Sequence, residues 1–178
     1  LDYCTGDASS ADAWLLDWIV PGTQGDDAPL AAAATSEARQ RSQRIEGFSF
    51  DAGRRSARRT VLPRPAPALR VTSGPAWKGY FALELDARGR WPAQSTGWLA
   101  LVEVVPMGTD GTPVARQLVR TVAGPLDLDA LRAHGRVQVL RALRWPDTAQ
   151  PARLRARAWI ESPDGAIVAV AGERCIVR

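Results

Sequence analysis

Histidine and cysteine are nearly missing from this chain, which removes most metal and nucleophilic chemistry at once. One histidine, His134, and two cysteines, Cys4 and Cys175, are too few for the usual four-ligand zinc site. The cysteines lie near opposite ends and form no C-x-x-C pair. Serine catalysis needs a base beside the nucleophile and a third group to hold it. His134 is instead expected at the end of a short helix, where the helix dipole favours it, and there is no G-x-S-x-G elbow. A glycine-rich phosphate loop and EF-hand spacing are also missing. No run of 18 apolar residues occurs, so no transmembrane helix is expected. There is no asparagine, and Lys78 is the single lysine among 23 basic residues. That skew reads as GC-rich codon usage rather than as selection for arginine chemistry. The acidic pairs Asp26/Asp27, Asp127/Asp129 and Glu84/Asp86 fall where a loop, a helix start or a strand face would hold a solvated carboxylate. The expectation is therefore no catalytic residue, no cofactor and no metal.

What is present suits one folded domain. The 178 residues are 46% hydrophobic and 24% charged, ordinary values for a globular chain able to bury a core. The net charge of +4 is unevenly spread. Residues 1–36 carry six Asp and no base, and residues 37–70 carry nine Arg. The run Arg54–Arg59 has no interleaved aromatics, which argues against nucleic acid as the partner. The simpler reading sets the acidic and basic stretches against each other or on separate solvated faces.

Along the chain, Ala11, Trp14, Leu15, Trp18 and Ile19 follow helical spacing, with Pro21-Gly22 as the stop. Two Trp on one stripe need a surface to cover, either the chain's own β core or a partner, so Trp14 and Trp18 are candidate partner contacts. A second helix is expected between Pro29 and Arg44. Residues 1–46 thus read as a helical segment and residues 47–68 as an Arg/Pro-rich linker or strap. Residues 69–178 read as a β domain. Tyr80–Asp86 alternates, and Trp98–Val105 is apolar on nearly both faces, as a central strand would be. Thr109–Thr112 signals a turn into Val114–Val122. Asp127–Ala133 suits a short helix, and Val137–Trp145, Arg153–Ile160 and Ala166–Val170 suit further strands. Six or seven strands joined mostly by turns suggest a mainly β fold, an antiparallel Ig-like β-sandwich with two N-terminal helices and one short helix between strands.

The alternation in Arg153–Ile160 puts Arg153, Arg155, Arg157 and Trp159 on one outward face. That row could stack on a sugar or base or bind anions. Alternatively, Trp159 packs under the Arg stems against the N-terminal helices. Cys4 and Cys175 could be bonded to each other, which the chain-entropy account values at no more than about 5 kcal/mol. The alternative is two separate buried thiols, or a bond to another chain.

Ser10–Leu15, Thr35–Arg41, Leu118–Arg120 and Ala158–Ile160 leading to Gly165–Val168 resemble, in order, stretches of a bacterial family of secreted thioredoxin-like proteins of unknown function. In that family a thioredoxin unit precedes a β-rich region. The family's C-x-x-C would fall near Thr5 and Ala8, and neither is Cys. The resemblance implies export to the periplasm or outside the cell and a β-sandwich half, and it argues against redox catalysis. The combined expectation is a non-enzymatic extracytoplasmic binding or accessory protein with a protein partner, possessing no transmembrane segment. The alternatives are a divergent thiol–disulfide protein and a carbohydrate- or anion-binding β-sandwich.

Overall fold

A computed structural model describes residues 15–20, 56–61, 68–110 and 112–173. Nine strands lie among them: β1 (Leu15–Val20), β2 (Ser56–Val61), β3 (Leu69–Trp77), β4 (Tyr80–Arg88), β5 (Thr96–Val105), β6 (Arg116–Asp127), β7 (Arg136–Arg144), β8 (Leu154–Glu161) and β9 (Ile167–Gly172). A six-residue helix, α1 (Asp129–His134), joins β6 to β7. The Asp127 carboxylate accepts the Asp129 N–H at 2.7 Å, and Gly135 turns away from the helix with φ +67. Among the described residues, no helix is long and apolar enough to cross a membrane.

The strands form two sheets. One has six strands in the order β2-β1-β6-β5-β8-β9, and the other has three in the order β3-β4-β7. Pairing is antiparallel except where β1 meets β6, in parallel, at Asp17 and Leu118. Strand alternation explains how the sheets meet. Leu69, Val71, Leu83 and Leu85 of the smaller sheet share a core with Leu99, Leu101, Ala156, Ala158 and Ile160 of the larger.

Two expectations are corrected. Leu15–Val20 is a strand, not part of a helix. The segment is so rich in apolar residues that it satisfies a period of two as well as one of 3.6. Pairing with both β1 neighbours then decides, burying Leu16 and Trp18 on one face. Ser56–Val61, inside the stretch read as a linker, is the edge strand β2. The second helix expected between Pro29 and Arg44 lies outside the described residues.

β5 is buried on both faces, so the larger sheet needs a second core on its far side. Leu16, Trp18, Trp98, Ala100, Val102, Val119, Trp159 and Val170 supply it. Trp98 and Trp159 face each other across β5 and β8 and stack, with ring centroids 6.1 Å apart and planes at 7°. The Trp98 ring lies flat over Gly124 of β6, close enough that a Cβ there would sit 2.3 Å from it.

An ion pair is buried within the larger sheet. Glu103 of β5 and Arg120 of β6 are both fully buried and meet at 2.6 Å. The register of β6 against β5 slips by one residue between Leu101 and Val102, which leaves Arg120 as the extra residue of a bulge. A bulge re-aims a side chain, and this one delivers the guanidinium to Glu103. The second Glu103 oxygen accepts the Gln150 N–H at 3.1 Å.

Two consequences can be measured by urea denaturation. Gly124→Ala is expected to destabilise the fold by about 1–3 kcal/mol, because Trp98 must shift. Arg120→Met strands the Glu103 carboxylate and is expected to cost about 3–5 kcal/mol, whereas the double change Glu103→Leu/Arg120→Met recovers most of the loss. Equal stability of the single and double variants would remove the ion pair from this account.

Candidate functional site

Of the row expected on β8, Arg153 lies in the 3-10 turn just before the strand, Arg155 and Arg157 lie on it half-buried, and Trp159 is covered. Trp159 is 0% exposed, stacked on Trp98 and met edge-on by Trp18 at 6.2 Å. Its indole N–H donates to Glu161 at 2.8 Å. No ligand reaches it in this arrangement. The arginines are engaged with their own chain. Arg153 pairs with Asp110 at 2.7 Å, and Arg155 donates to the Ala152 and Leu154 carbonyls. Arg157 donates to the Ala156 carbonyl. Burial, with Arg155 nearby, pushes the Arg157 guanidinium down to about 10, while Glu173 acts in the other direction. Trp159 of the expected ligand face is thus internal and meets Trp18 of β1, whereas Arg153, Arg155 and Arg157 remain partly exposed.

Trp18 has the same fate. It is 2% exposed and lies within the chain's own second core rather than at an outward contact. Trp14, Cys4 and Cys175 lie outside the described residues. Asp86 and Glu84, weighed as an acid–base pair, are held by neighbours. Both Asp86 oxygens are bound by Arg136 at 2.9 Å, and Arg88 adds a third contact at 3.1 Å. Glu84 accepts from Gln138 at 3.0 Å. Among the described residues, no three His, Cys, Asp or Glu side chains are grouped to hold a metal ion.

Of the large exposed apolar side chains, Val104, Leu140 and Val168 stand singly on strands, while Trp77 and Tyr80 flank the β3–β4 turn and Met107 and Val114 lie on the β5–β6 loop. β3 and β4 are joined by a two-residue turn, Lys78-Gly79, with φ of +46 and +83. Two positive φ values mark the hairpin turn that matches strand twist. Trp77 and Tyr80 flank it as a cross-strand pair. Trp77 is 70% exposed and Tyr80 45%. The Lys78 ammonium sits 4.8 Å from the Trp77 ring centroid. Behind the tip, Phe81 packs on Trp145 at 5.0 Å, and the Trp145 N–H donates to the Gly79 carbonyl.

The β5–β6 loop reaches the same end. Its Asp110 bonds Arg153, just before β8, and it carries Met107, 69% exposed, and the exposed Val114. Charges around this rim are mixed, with Lys78, Arg144 and Arg153 against Asp110 and Asp147. Sequence reasoning passed over the tip. The signal was Trp-Lys-Gly-Tyr, an aromatic pair around a residue and a glycine, which is weaker than the Asn-Gly or Asp-Gly that marks most such turns.

No family model matches the chain, and neither does any curated protein or solved structure.

The Asp86 cluster makes a pH-dependent contribution to stability. Arg136 is the main reason that the Asp86 carboxyl lies below the usual carboxylate range; desolvation opposes it, and Arg88 assists. A depressed carboxyl contributes stability above its unfolded pKa, and loses it as pH falls through the folded value. The stability gap between the native chain and Asp86→Asn is therefore expected to hold steady from neutral pH down to about 5 and to close below about 4. A gap indifferent to pH would show that the carboxylate charge is not what the two arginines stabilise.

Proposed function

We propose that this chain is a non-enzymatic accessory or binding protein that works outside the cytoplasm. A β-sandwich serves as its scaffold, and the loop end bearing Trp77 docks it onto a partner protein. The exposed aromatic hairpin carries this reading. A Trp 70% exposed at the tip of a two-residue turn contributes nothing to the core of its own domain. Exposed Trp, Tyr and Met are the residues that anchor protein interfaces once covered. The hairpin tip is pre-shaped by its turn and by the Phe81–Trp145 contact behind it, so little ordering is needed on binding.

The occupant follows from the rim. Trp77, Tyr80 and Met107 call for an apolar recess on the partner, and Lys78 beside them favours a carboxylate at its edge. Extracytoplasmic work rests on the resemblance to secreted proteins, and the sandwich on two sheets sharing one core.

Replacing Trp77 with a photo-crosslinking phenylalanine analogue, in the organism that makes the chain, is expected to give one discrete adduct containing a single partner protein. The same probe at Val168, exposed on β9, should give none. Trp77→Ser/Tyr80→Ser should remove that partner while changing stability by no more than about 0.5 kcal/mol, as surface changes do. Equal labelling from both positions, or recovery of the partner with the double variant, would refute the docking role of this end.

A further inference from the structure

The smaller sheet ends in two strands, β3 and β7, each with β4 as its one neighbour. An edge strand presents unpaired backbone groups, and folded proteins blunt it with a proline, a bulge or a charge. β3 has Pro75 and a break in register between Ser73 and Ala76. β7 has neither, and its nine residues pair with β4 without a break.

The register fixes where the β7 backbone points. Hydrogen-bonded and open pairs alternate along antiparallel strands. Just beyond the two ends of the pairing, the Trp145 N–H donates to the Gly79 carbonyl and the Gly89 N–H donates to the Gly135 carbonyl. Both are odd-numbered pairs, so Val137, Val139, Arg141 and Leu143 bond to β4. The backbone groups of Arg136, Gln138, Leu140, Ala142 and Arg144 therefore point away from it. On β4 the even-numbered Arg88 turns its N–H to the Ala68 carbonyl, as this pattern requires. At one end of the free edge, Thr121 of β6 donates to the Arg144 carbonyl at 2.6 Å. In the middle, the Arg141 guanidinium donates to the Leu140 carbonyl at 2.8 Å. The Gln138, Leu140 and Ala142 N–H groups have no partner among the described residues.

Side chains and charge decide what suits this edge. Gln138, Leu140, Arg141 and Ala142 are all exposed, so the middle of the strand is open to an added one. Leu140, 63% exposed, offers apolar contact there. β7 carries Arg136, Arg141 and Arg144 and no acid. Arg136 is engaged with Asp86, whereas Arg141 meets a carbonyl of its own strand and Arg144 reaches an exposed Asp147 at 3.9 Å. A second copy would set arginines on both strands and no acid on either, which is unfavourable. An extended segment with acids opposite Arg141 and Arg144 matches the edge in shape and in sign.

We propose that β7 accepts an extended acidic segment of a partner protein as an added strand of the smaller sheet, antiparallel to β7 and with an apolar residue opposite Leu140. Such addition takes its affinity from main-chain bonds and its selectivity from alternate side chains. Arg141 is the selective element. An acid on the incoming strand draws its guanidinium off the Leu140 carbonyl, which then accepts the incoming N–H. The edge uses none of Trp77, Tyr80 or Met107 and goes beyond the docking role of that end.

The test is an NMR titration of the full chain with the peptide acetyl-Glu-Thr-Thr-Glu-Val-Val-Thr-amide. Set antiparallel, it places its acids opposite Arg144 and Arg141 and a valine opposite Leu140. Saturable binding is expected, with a dissociation constant on the order of 1 mM or below. Hydrogen exchange should slow at the Gln138, Leu140 and Ala142 amides and stay as it was at Val139 and Arg141, which β4 already holds. Arg141→Glu should weaken binding at least about fivefold. Leu140→Pro removes an outward N–H at a kind of position that tolerates proline. It should abolish the new protection while thermal unfolding shows the fold retained. Trp77→Ser/Tyr80→Ser should leave binding unchanged, which separates this edge from the docking end. The inference is overturned by a lack of saturable binding, or by protection spread evenly along β7. Equal binding of the peptide with Lys in place of both Glu, or of the peptide N-methylated at its third and fifth residues, overturns it too. So do dimers of the free chain joined through β7.

Discussion

Glu103 is a fully buried carboxylate near the end of the most buried strand, and the way its charge is matched organises much of the fold. A charge without water must be paired and hydrogen-bonded at once. Arg120 meets it only because β6 carries an extra residue at that point. The Gln150 N–H completes the set, so the chain leading from β7 into β8 is pinned to the same carboxylate. Three segments far apart in sequence are thereby held in one register.

The burial of β5 also explains the second core. A strand covered on both faces demands apolar cover on each side, and its neighbours must share that cover. Trp98, Ala100 and Val102 point to the far side of the larger sheet, opposite Trp159, Arg157 and Arg155. Trp159 therefore belongs to the inside of the molecule, although Arg155 and Arg157 before it on the same strand are only half-buried. Arg stems can line such a surface while their heads find carbonyls and carboxylates.

This is also where sequence reading reached its limit. The strands β4, β5, β7 and β8 are legible because alternation is local, and it correctly grouped Leu154, Ala156, Ala158 and Ile160 on one face. Whether the other face of β8 meets solvent is not a local property. It follows from β5, whose apolar character on both faces was legible, once the two strands are known to be neighbours. Leu15–Val20 failed for a related reason. Its neighbours in the sheet are remote in sequence, and Asp17, which looks like the solvated side of a helix, is buried and accepts the Gln117 N–H at 2.8 Å. The aromatic tip was missed because it is built around a turn, where exposure depends on which loops meet rather than on any periodic pattern.

Asp17 and Gln117 are 100 residues apart, and that distance has a consequence during synthesis. At about 5–20 residues per second, β1 leaves the ribosome some 5–20 s before the strand it lies against exists. In that interval only β2 is available to it, and a two-stranded ribbon is marginal in water. Leu16 and Trp18 thus spend the early life of every molecule without the β6 surface that buries them. A helper that holds nascent or translocating chains would find its target in this stretch, and crowded or fast expression would place the first losses there.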